Sequence, residues 1–393
     1  MAFGELGNAK MSLRTVGFDD PSISLPGALE VRKLAVGVTP RRLPAWTAPR
    51  LSDPSMRMMV RIPSGVRLAF RSNCSEIELD VLETALQTLG RPRGLVTFDL
   101  LVDGERVARK YAAGGNTVEI DPNAPPPGAT VVPGRPSTIR FSDLGTADKA
   151  IEIWLPQSGT VDLHALRITD GASLAPNTPV GRTWAHYGSS ISHGMEADGP
   201  SETWPAQAAR AAGVDLMSMG FAGQCQLDGY VARSLRDGNF DLISLKLGIN
   251  VINGDTMRER VFWPAVESFL DVIREGKPQV PILIVSPITC PVAESRPGPT
   301  IMDGSAVRTV DRPKELRGGV LTLIKVRAIL AEIVSRRRAA GDQNLHYLDG
   351  LELFGEGDVA DLPDGLHPNA DGLRRMGDRF ARLAFGAEGP FRA

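Results

Sequence analysis

The pattern of apolar and polar residues changes about 170 residues into the chain. Before that point apolar and polar side chains alternate in short runs, as in strands that bury one face; examples are residues 66–72, 76–81 and 161–168. Asp103-Gly104 separates two further runs of this kind and predicts a hairpin. Six or more short strands, with no convincing helix among them, predict a β-sandwich of jelly-roll type over residues 1–170.

The remainder of the chain shows a different period. Residues 171–181 are rich in Gly, Pro, Ser and Asn, and we interpret them as a linker. Over residues 182–393 apolar strands alternate with helical patterns five times, which predicts a mostly parallel sheet with helices on both faces. A Pro/Gly-rich insertion at 291–313 follows the fourth strand of this sheet. We expect it to overhang the carboxyl edge of the sheet, either as a lid or as a long loop.

Composition and charge exclude several classes of protein. The 44 basic and 46 acidic side chains nearly cancel, so no basic surface indicates a nucleic-acid partner. The three cysteines lie far apart without a CxxC pair, and neither they nor the histidines show a metal-ligand spacing, so we expect no disulfide, metal or cofactor. No run of about 18 apolar residues predicts a membrane span. The first 20 residues lack the apolar core of a signal peptide, and we therefore expect a cytoplasmic protein.

The stretch WAHYGSSISHG (184–194) lies at the carboxyl end of the first strand of the second half, where ligands bind in such folds. A serine in this stretch needs a base to become a nucleophile. Of the five histidines, His367 lies on a loop before the last helix, with Asp364 three residues earlier. An aspartate at that spacing can fix the tautomer of the imidazole and leave its Nε2 free as a base.

Two further loops follow the next two predicted strands. The second strand ends in MGFAGQC, which contains Gly223, and the third ends in LKLGINVING, which contains Asn250. An acyl-transfer reaction needs hydrogen-bond donors that face the developing oxyanion, and a glycine N–H or an asparagine amide can supply them. The four loops together therefore indicate acyl-transfer chemistry.

In this order, the serine, glycine, asparagine and DxxH blocks resemble the SGNH hydrolases, the GDSL-type esterases and lipases, over residues 180–386. The YGSSI sequence and the preceding β-sandwich resemble the branch with an N-terminal jelly-roll domain. The resemblance implies a flavodoxin-like three-layer α/β/α domain over residues 182–393. It also implies a set of site residues: Ser190 as nucleophile, His367 as base, Asp364 as its orienting acid, and an oxyanion hole from Ser190, Gly223 and Asn250. The chain departs from the family pattern at Ser189, where most members have Asp, and at Val251, where many have Asp.

Alternatives remain open at several positions. Ser189 is a second candidate nucleophile, and Ser190 could instead cap the helix that follows it. His193 and Trp204 are candidate substrate contacts, although a structural role also fits His193. The β-sandwich could bind sugars, or it could pack against the second domain and shape its cleft.

These residues predict a serine esterase that cleaves small acyl esters, and the resemblance implies O-acetyl groups on a carbohydrate or small metabolite as possible substrates. The predicted partner is thus this small ester, with neither nucleic acid nor membrane. An acyltransferase would use the same residues with an alcohol in place of water. A carbohydrate-binding protein with a degenerate hydrolase domain is the third possibility, and the complete residue set disfavours it.

Overall fold

The computed structural model of the protein describes residues 12–89, 92–121, 128–178 and 181–392. Most of the segment used to judge a signal peptide, residues 1–11, lies outside these ranges. Residues 179 and 180 of the predicted linker lie outside them as well. Strands and helices are numbered below in chain order.

Two sheets packed face to face form the first domain, as the alternating pattern predicts. Their inner faces enclose one apolar core, in which Leu79 and Val81 of one sheet meet Phe70 and Ile153 of the other. The larger sheet contains β1 (Leu13–Val16), β2 (Glu30–Lys33), β3 (Val38–Arg41), β5 (Ile77–Thr88), β8 (Asn116–Asp121), β9 (Gly128–Val132), β10 (Ser137–Phe141) and β12 (Gly159–Thr169). The smaller sheet contains β4 (Arg67–Ser72), β6 (Val96–Val102), β7 (Glu105–Ala112) and β11 (Lys149–Trp154), in the order β4-β11-β6-β7. The predicted β-sandwich is confirmed, and β6 and β7 form the hairpin predicted at Asp103-Gly104.

The expectation that this half contains no helix is wrong. Helix α1 (Pro54–Arg61) begins after Asp53, whose carboxylate accepts hydrogen bonds from the backbone N–H groups of Ser55 and Met56. The aspartate cap and the proline at the first helical position are an ordinary helix start. The helix is only eight residues long, too short for its buried side chains to produce a clear periodic pattern.

The second domain has the predicted parallel sheet. Its five strands are β13 (Thr183–Gly188), β14 (Asp215–Gly220), β15 (Leu242–Lys246), β16 (Ile282–Val285) and β19 (Leu345–Leu348). They lie in the order β14-β13-β15-β16-β19, and every pairing is parallel. This is the flavodoxin-like order 2-1-3-4-5, in which the chain reverses direction across the sheet beside the first strand.

Helices cover both faces of this sheet. They are α2 (Ser190–His193), α3 (Trp204–Ala212), α4 (Gly229–Asp237), α5 (Ile249–Asn253), α6 (Glu259–Gly276), α7 (Leu323–Ala339), α8 (Gly350–Leu353) and α9 (Ala370–Phe380). Buried side chains of α4, α6 and α7 pack with one face of the strands, and those of α3 and α9 with the other. Residues 314–316 form a separate short turn before α7, which begins at Leu323. No helix in the described part of the chain is both long and apolar enough to cross a membrane.

The two domains share buried contacts. Side chains between residues 43 and 62, including Met59 and Ile62, belong to the same apolar core as α4 and α6. Arg109 of β7 forms ion pairs with Asp99 and with Glu202 of the second domain, and Ser201 donates a hydrogen bond to Asp99. The β-sandwich therefore packs directly against the second domain.

Candidate active site

Three neighbouring strands deliver their following loops to one edge of the sheet. Strand β13 lies between β14 and β15, and Gly188 at its end is in register with Gly220 of β14. Ser190, Gly223 and Asn250 follow the ends of these three strands. Because the strands are parallel, all three residues lie at the carboxyl edge, at the switch point where α/β folds bind ligands.

A chain of hydrogen bonds links Ser190 to the loop before α9. The Oγ of Ser190 lies 2.8 Å from Nε2 of His367, and Nδ1 of His367 lies 2.7 Å from Oδ2 of Asp364. A carboxylate only accepts, so Nδ1 carries the proton and Nε2 accepts the serine hydroxyl hydrogen. This arrangement is able to pass the serine proton to the imidazole.

Asp364 is held by its own backbone. Its Oδ1 accepts hydrogen bonds from the N–H groups of Leu366 (2.8 Å) and His367 (2.7 Å), which leaves Oδ2 for the imidazole. Burial opposes ionisation of this carboxyl, but the hydrogen bonds from His367 and Leu366 outweigh it and lower the pKa of Asp364 to about 2. The group is therefore a carboxylate at neutral pH.

The surroundings of His367 favour its protonated form. Burial lowers the pKa of the imidazole, but the hydrogen bond to Asp364 and the negative charges of Glu196 and Asp364 raise it above the ordinary value. Glu196 is exposed and lies on the loop after α2. The imidazole is thus well placed both to take a proton and to hold it.

Asn250 has one side-chain atom in use and one free. The residue is 4% exposed, and its Oδ1 accepts a hydrogen bond from the backbone N–H of Cys225 at 3.0 Å. Because only an oxygen can accept from that N–H, the amide orientation is fixed and Nδ2 faces away from Cys225. Within the described chain Nδ2 has no hydrogen-bond partner, so it remains available as a donor.

Gly223 lies on the exposed loop after β14. Its φ of +73° is in the left-handed region, which a glycine adopts without strain. Gln226 connects this loop to α5, since its amide donates hydrogen bonds to the backbone oxygens of Gly223 (3.5 Å) and Asn250 (3.3 Å). The two predicted oxyanion-hole residues therefore belong to one hydrogen-bonded unit.

The insertion at 291–313 forms a hairpin beside the histidine loop. Its strands are β17 (Thr300–Asp303) and β18 (Ala306–Thr309), and the N–H of Val307 donates to the backbone oxygen of Asp364 at 2.7 Å. Cys290, just before the insertion, donates a hydrogen bond from Sγ to the backbone oxygen of Gly365. The hairpin thus contacts the loop that carries Asp364 and His367, and its role as a lid stays a prediction.

Comparison with known proteins identifies the family. Residues 186–375 match the model of the GDSL-like lipase/acylhydrolase family. Among solved structures, the salicylyl-acyltransferase SsfX3 from a tetracycline biosynthetic pathway is 28% identical, with a TM-score of 0.78 over 93% of this chain and 95% of that chain. The chain is a member of the SGNH hydrolase superfamily.

Further SGNH structures share the two-domain fold. A family two carbohydrate esterase from Cellvibrio japonicus is 15% identical, with a TM-score of 0.58 over 94% of this chain and 96% of that chain. The acetyl xylan esterase Est2A from Butyrivibrio proteoclasticus is 12% identical, with a TM-score of 0.53 over 94% of this chain and 96% of that chain. A comparison with curated proteins finds no match. The SGNH fold thus accommodates esterases and an acyltransferase.

Two predicted substrate contacts of this SGNH hydrolase lie in its interior. His193 is fully buried, and its Nε2 donates a hydrogen bond to the backbone oxygen of Gln157 in the first domain. Trp204 is also fully buried and packs against Trp184 and Phe380. Neither side chain has exposed surface to offer a substrate. The structural alternative therefore describes the position of His193, and Trp204 lies in the core instead of lining a pocket.

Sequence reasoning missed other residues around this SGNH site. Gln226 lies three residues after Gly223, but nothing in the sequence shows that it reaches Asn250. Glu196 is six residues after Ser190, and only the folded chain places its charge near His367. Among the described residues no group of three or more His, Cys, Asp or Glu side chains is placed to hold a metal ion.

Proposed function

We propose that this protein is a serine esterase that cleaves small acyl esters through an acyl-enzyme on Ser190. The hydrogen-bond chain Ser190–His367–Asp364 carries this proposal. The free amide nitrogen of Asn250 and the backbone of Gly223, at the ends of the two adjacent strands, support it. In this assignment Ser190 is the nucleophile, His367 the base and Asp364 the residue that orients the base.

The reaction begins when His367 accepts the hydroxyl proton of Ser190 as Oγ attacks the ester carbonyl. The N–H groups of Ser190 and Gly223 and Nδ2 of Asn250 donate hydrogen bonds to the resulting oxyanion. The imidazolium, stabilised by Asp364, then protonates the leaving alcohol and the acyl-enzyme forms. Water, deprotonated by His367, attacks the acyl carbon, and Ser190 leaves with its proton restored.

The substrate we propose is a short acyl ester, such as an O-acetyl group, on a carbohydrate or small metabolite. The support is the two-domain fold, which the chain shares with carbohydrate esterases. Because likeness at 12–15% identity shows the fold, the proposal names the alcohol part of the substrate by its class, a carbohydrate or a small metabolite.

An acyltransferase is the second candidate, and one observation favours it. The salicylyl-acyltransferase is 28% identical to this chain over nearly its whole length. Both reactions pass through the same acyl-enzyme and differ only in whether water or another alcohol resolves it. Product analysis in the presence of alcohol acceptors therefore separates them, since a transferase forms a new ester in place of the free acid.

Hydrolysis of p-nitrophenyl acetate, butyrate and octanoate by wild type and Ser190→Ala tests the proposed function. Ser189→Ala is the matched control, because its buried Oγ has no hydrogen-bond partner among the described residues. We expect Ser190→Ala to lose turnover and Ser189→Ala to keep it. Turnover that survives Ser190→Ala would refute the assignment, and a wild type that binds sugars without cleaving any ester would favour the binding-protein alternative.

A further inference from the structure

Arg42 reaches from the end of β3 in the first domain to the edge of the second-domain sheet. Its side chain is fully buried. Nη1 donates hydrogen bonds to the backbone oxygens of Gly220 (2.6 Å) and Ser218 (3.2 Å), and Nη2 donates to that of Met59 (2.7 Å). The guanidinium also lies over the ring of Phe221, 4.7 Å from its centroid.

These contacts fall on a strand edge that no other strand of the described residues covers. Strand β14 is the outermost strand of its sheet, so within the described ranges the backbone oxygens of Ser218 and Gly220 have no strand partner on their outer side. Arg42 binds both oxygens, at the carboxyl end of the strand. The strand end that leads into the Gly223 loop is therefore held by a residue of the other domain.

Arg42 carries its charge without a carboxylate partner among the described residues. All its hydrogen bonds go to backbone oxygens, and its Nε has no partner there. Burial lowers the pKa of the guanidinium to about 9. Moving a guanidinium into the protein interior costs free energy, and here only backbone oxygens and one aromatic ring, with no carboxylate, offset that cost. Its presence here is thus poorly explained by stability alone.

The point that Arg42 holds also touches the nucleophile segment. A side chain on Gly220 would meet the backbone of Ser192 and His193 at 2.5 Å, so this strand end lies directly against α2. The next residue, Phe221, donates its N–H to the backbone oxygen of Gly188 at 2.9 Å. Displacement of this strand end would therefore move the Gly223 loop relative to Ser190.

We propose that Arg42 is a positioning residue that holds the Gly223 loop in the orientation its N–H needs to bind the oxyanion. This role rests on the proposed serine esterase function and acts through Gly220 and Phe221, without contact to substrate. Loss of Arg42 should impair the transition state more than substrate binding. The effect should therefore appear in kcat, with KM nearly constant.

The test compares Arg42→Met and Arg42→Lys with wild type in p-nitrophenyl acetate hydrolysis and in hydrogen–deuterium exchange. Arg67→Met is the matched control, since buried Arg67 crosses the same domain boundary to Asp215 at the other end of β14. We expect Arg42→Met to lower the melting temperature, because three buried backbone oxygens lose their donor, while kcat falls roughly 10- to 100-fold and KM changes by less than about twofold. The kcat of Arg42→Lys should lie between the values for wild type and Arg42→Met, because an ammonium group cannot bind three oxygens with the fixed geometry of a guanidinium.

Exchange in residues 219–226 should become faster in Arg42→Met and stay unchanged in Arg67→Met, which should lose stability without losing kcat. A folded Arg42→Met enzyme with wild-type kcat would overturn the role of Arg42 and leave the esterase function intact. If Arg42→Met does not fold, the same criteria apply to Arg42→Lys. If wild type cleaves no ester, the proposed function fails. The holding role of Arg42 is then overturned as well if exchange in residues 219–226 is the same in Arg42→Met as in wild type.

Discussion

The Oγ of Ser190 lies 2.8 Å from Nε2 of His367, although 177 residues separate them in the chain. The parallel sheet explains this contact, because the loops after its first and last strands open on the same edge. The loop before α9 then reaches Ser190 across that edge. The four loops that the sequence singled out therefore form one site.

Asn250→Ala should reduce kcat by roughly 100- to 1000-fold with little change in KM, because it removes one donor to the oxyanion. Asn253→Ala, three residues later in α5, is the matched control and should keep most of the activity. Steady-state kinetics on p-nitrophenyl acetate measure both. Equal kcat values for the two variants would remove Asn250 from the oxyanion hole.

Asp364→Asn should lower kcat by roughly 1000- to 10000-fold. An asparagine retains an oxygen for the N–H groups of Leu366 and His367, but its amide donates to Nδ1 and so places the imidazole proton on Nε2. The base then has no lone pair for the serine hydroxyl. Asp361→Asn is the control. An Asp364→Asn enzyme within tenfold of wild type would show that the carboxylate does not set the tautomer.

Glu196→Gln should shift the acid limb of the pH profile of kcat/KM to lower pH. The negative charge of Glu196 raises the pKa of His367, so its removal lowers that pKa. His367 must be neutral to accept a proton, and it would then stay neutral at lower pH. Asp198→Asn, which removes a nearby exposed charge paired with Arg374, should leave the limb in place. A limb that moves upward in Glu196→Gln would contradict the electrostatic account.

Lys246→Met should stabilise the protein at neutral pH. Burial lowers the pKa of Lys246 to about 8, whereas its pKa in the unfolded chain is near 10.5. Below pH 8 the lysine is charged in both states, and burial of this charge lowers the free energy of unfolding. The penalty is on the order of 3 kcal/mol, which corresponds to a gain of roughly 5 °C or more in melting temperature for the variant. This gain should shrink as pH rises from 8 to 10.5, where both states become neutral.

Thermal unfolding at several pH values checks this, with exposed Lys314→Met as a control that should show no such dependence. A melting temperature that falls in Lys246→Met at pH 7 would mean that the buried ammonium has a compensating partner.

The sequence predicted what depends on local pattern. Strand and helix order followed from the change of period, and the DGLH spacing predicted the hydrogen bond between Asp364 and His367. Contacts across the domain boundary could not be predicted in the same way. Arg42 belongs to no sequence motif, and two of its three hydrogen-bond partners lie about 180 residues further along the chain. Likewise, burial of Trp204 depends on its packing against α9, which no local signal near Trp204 encodes.

The most direct test of the central claim is to find which residue becomes acylated. Wild-type protein is mixed with p-nitrophenyl butyrate, quenched in acid within the first turnovers, digested and mapped by mass spectrometry. The account predicts a butyryl group on Ser190 in wild type and none in Ser190→Ala. A butyryl group on Ser189, on Ser192 or on no serine of this loop, in a preparation that turns over the ester, would contradict it.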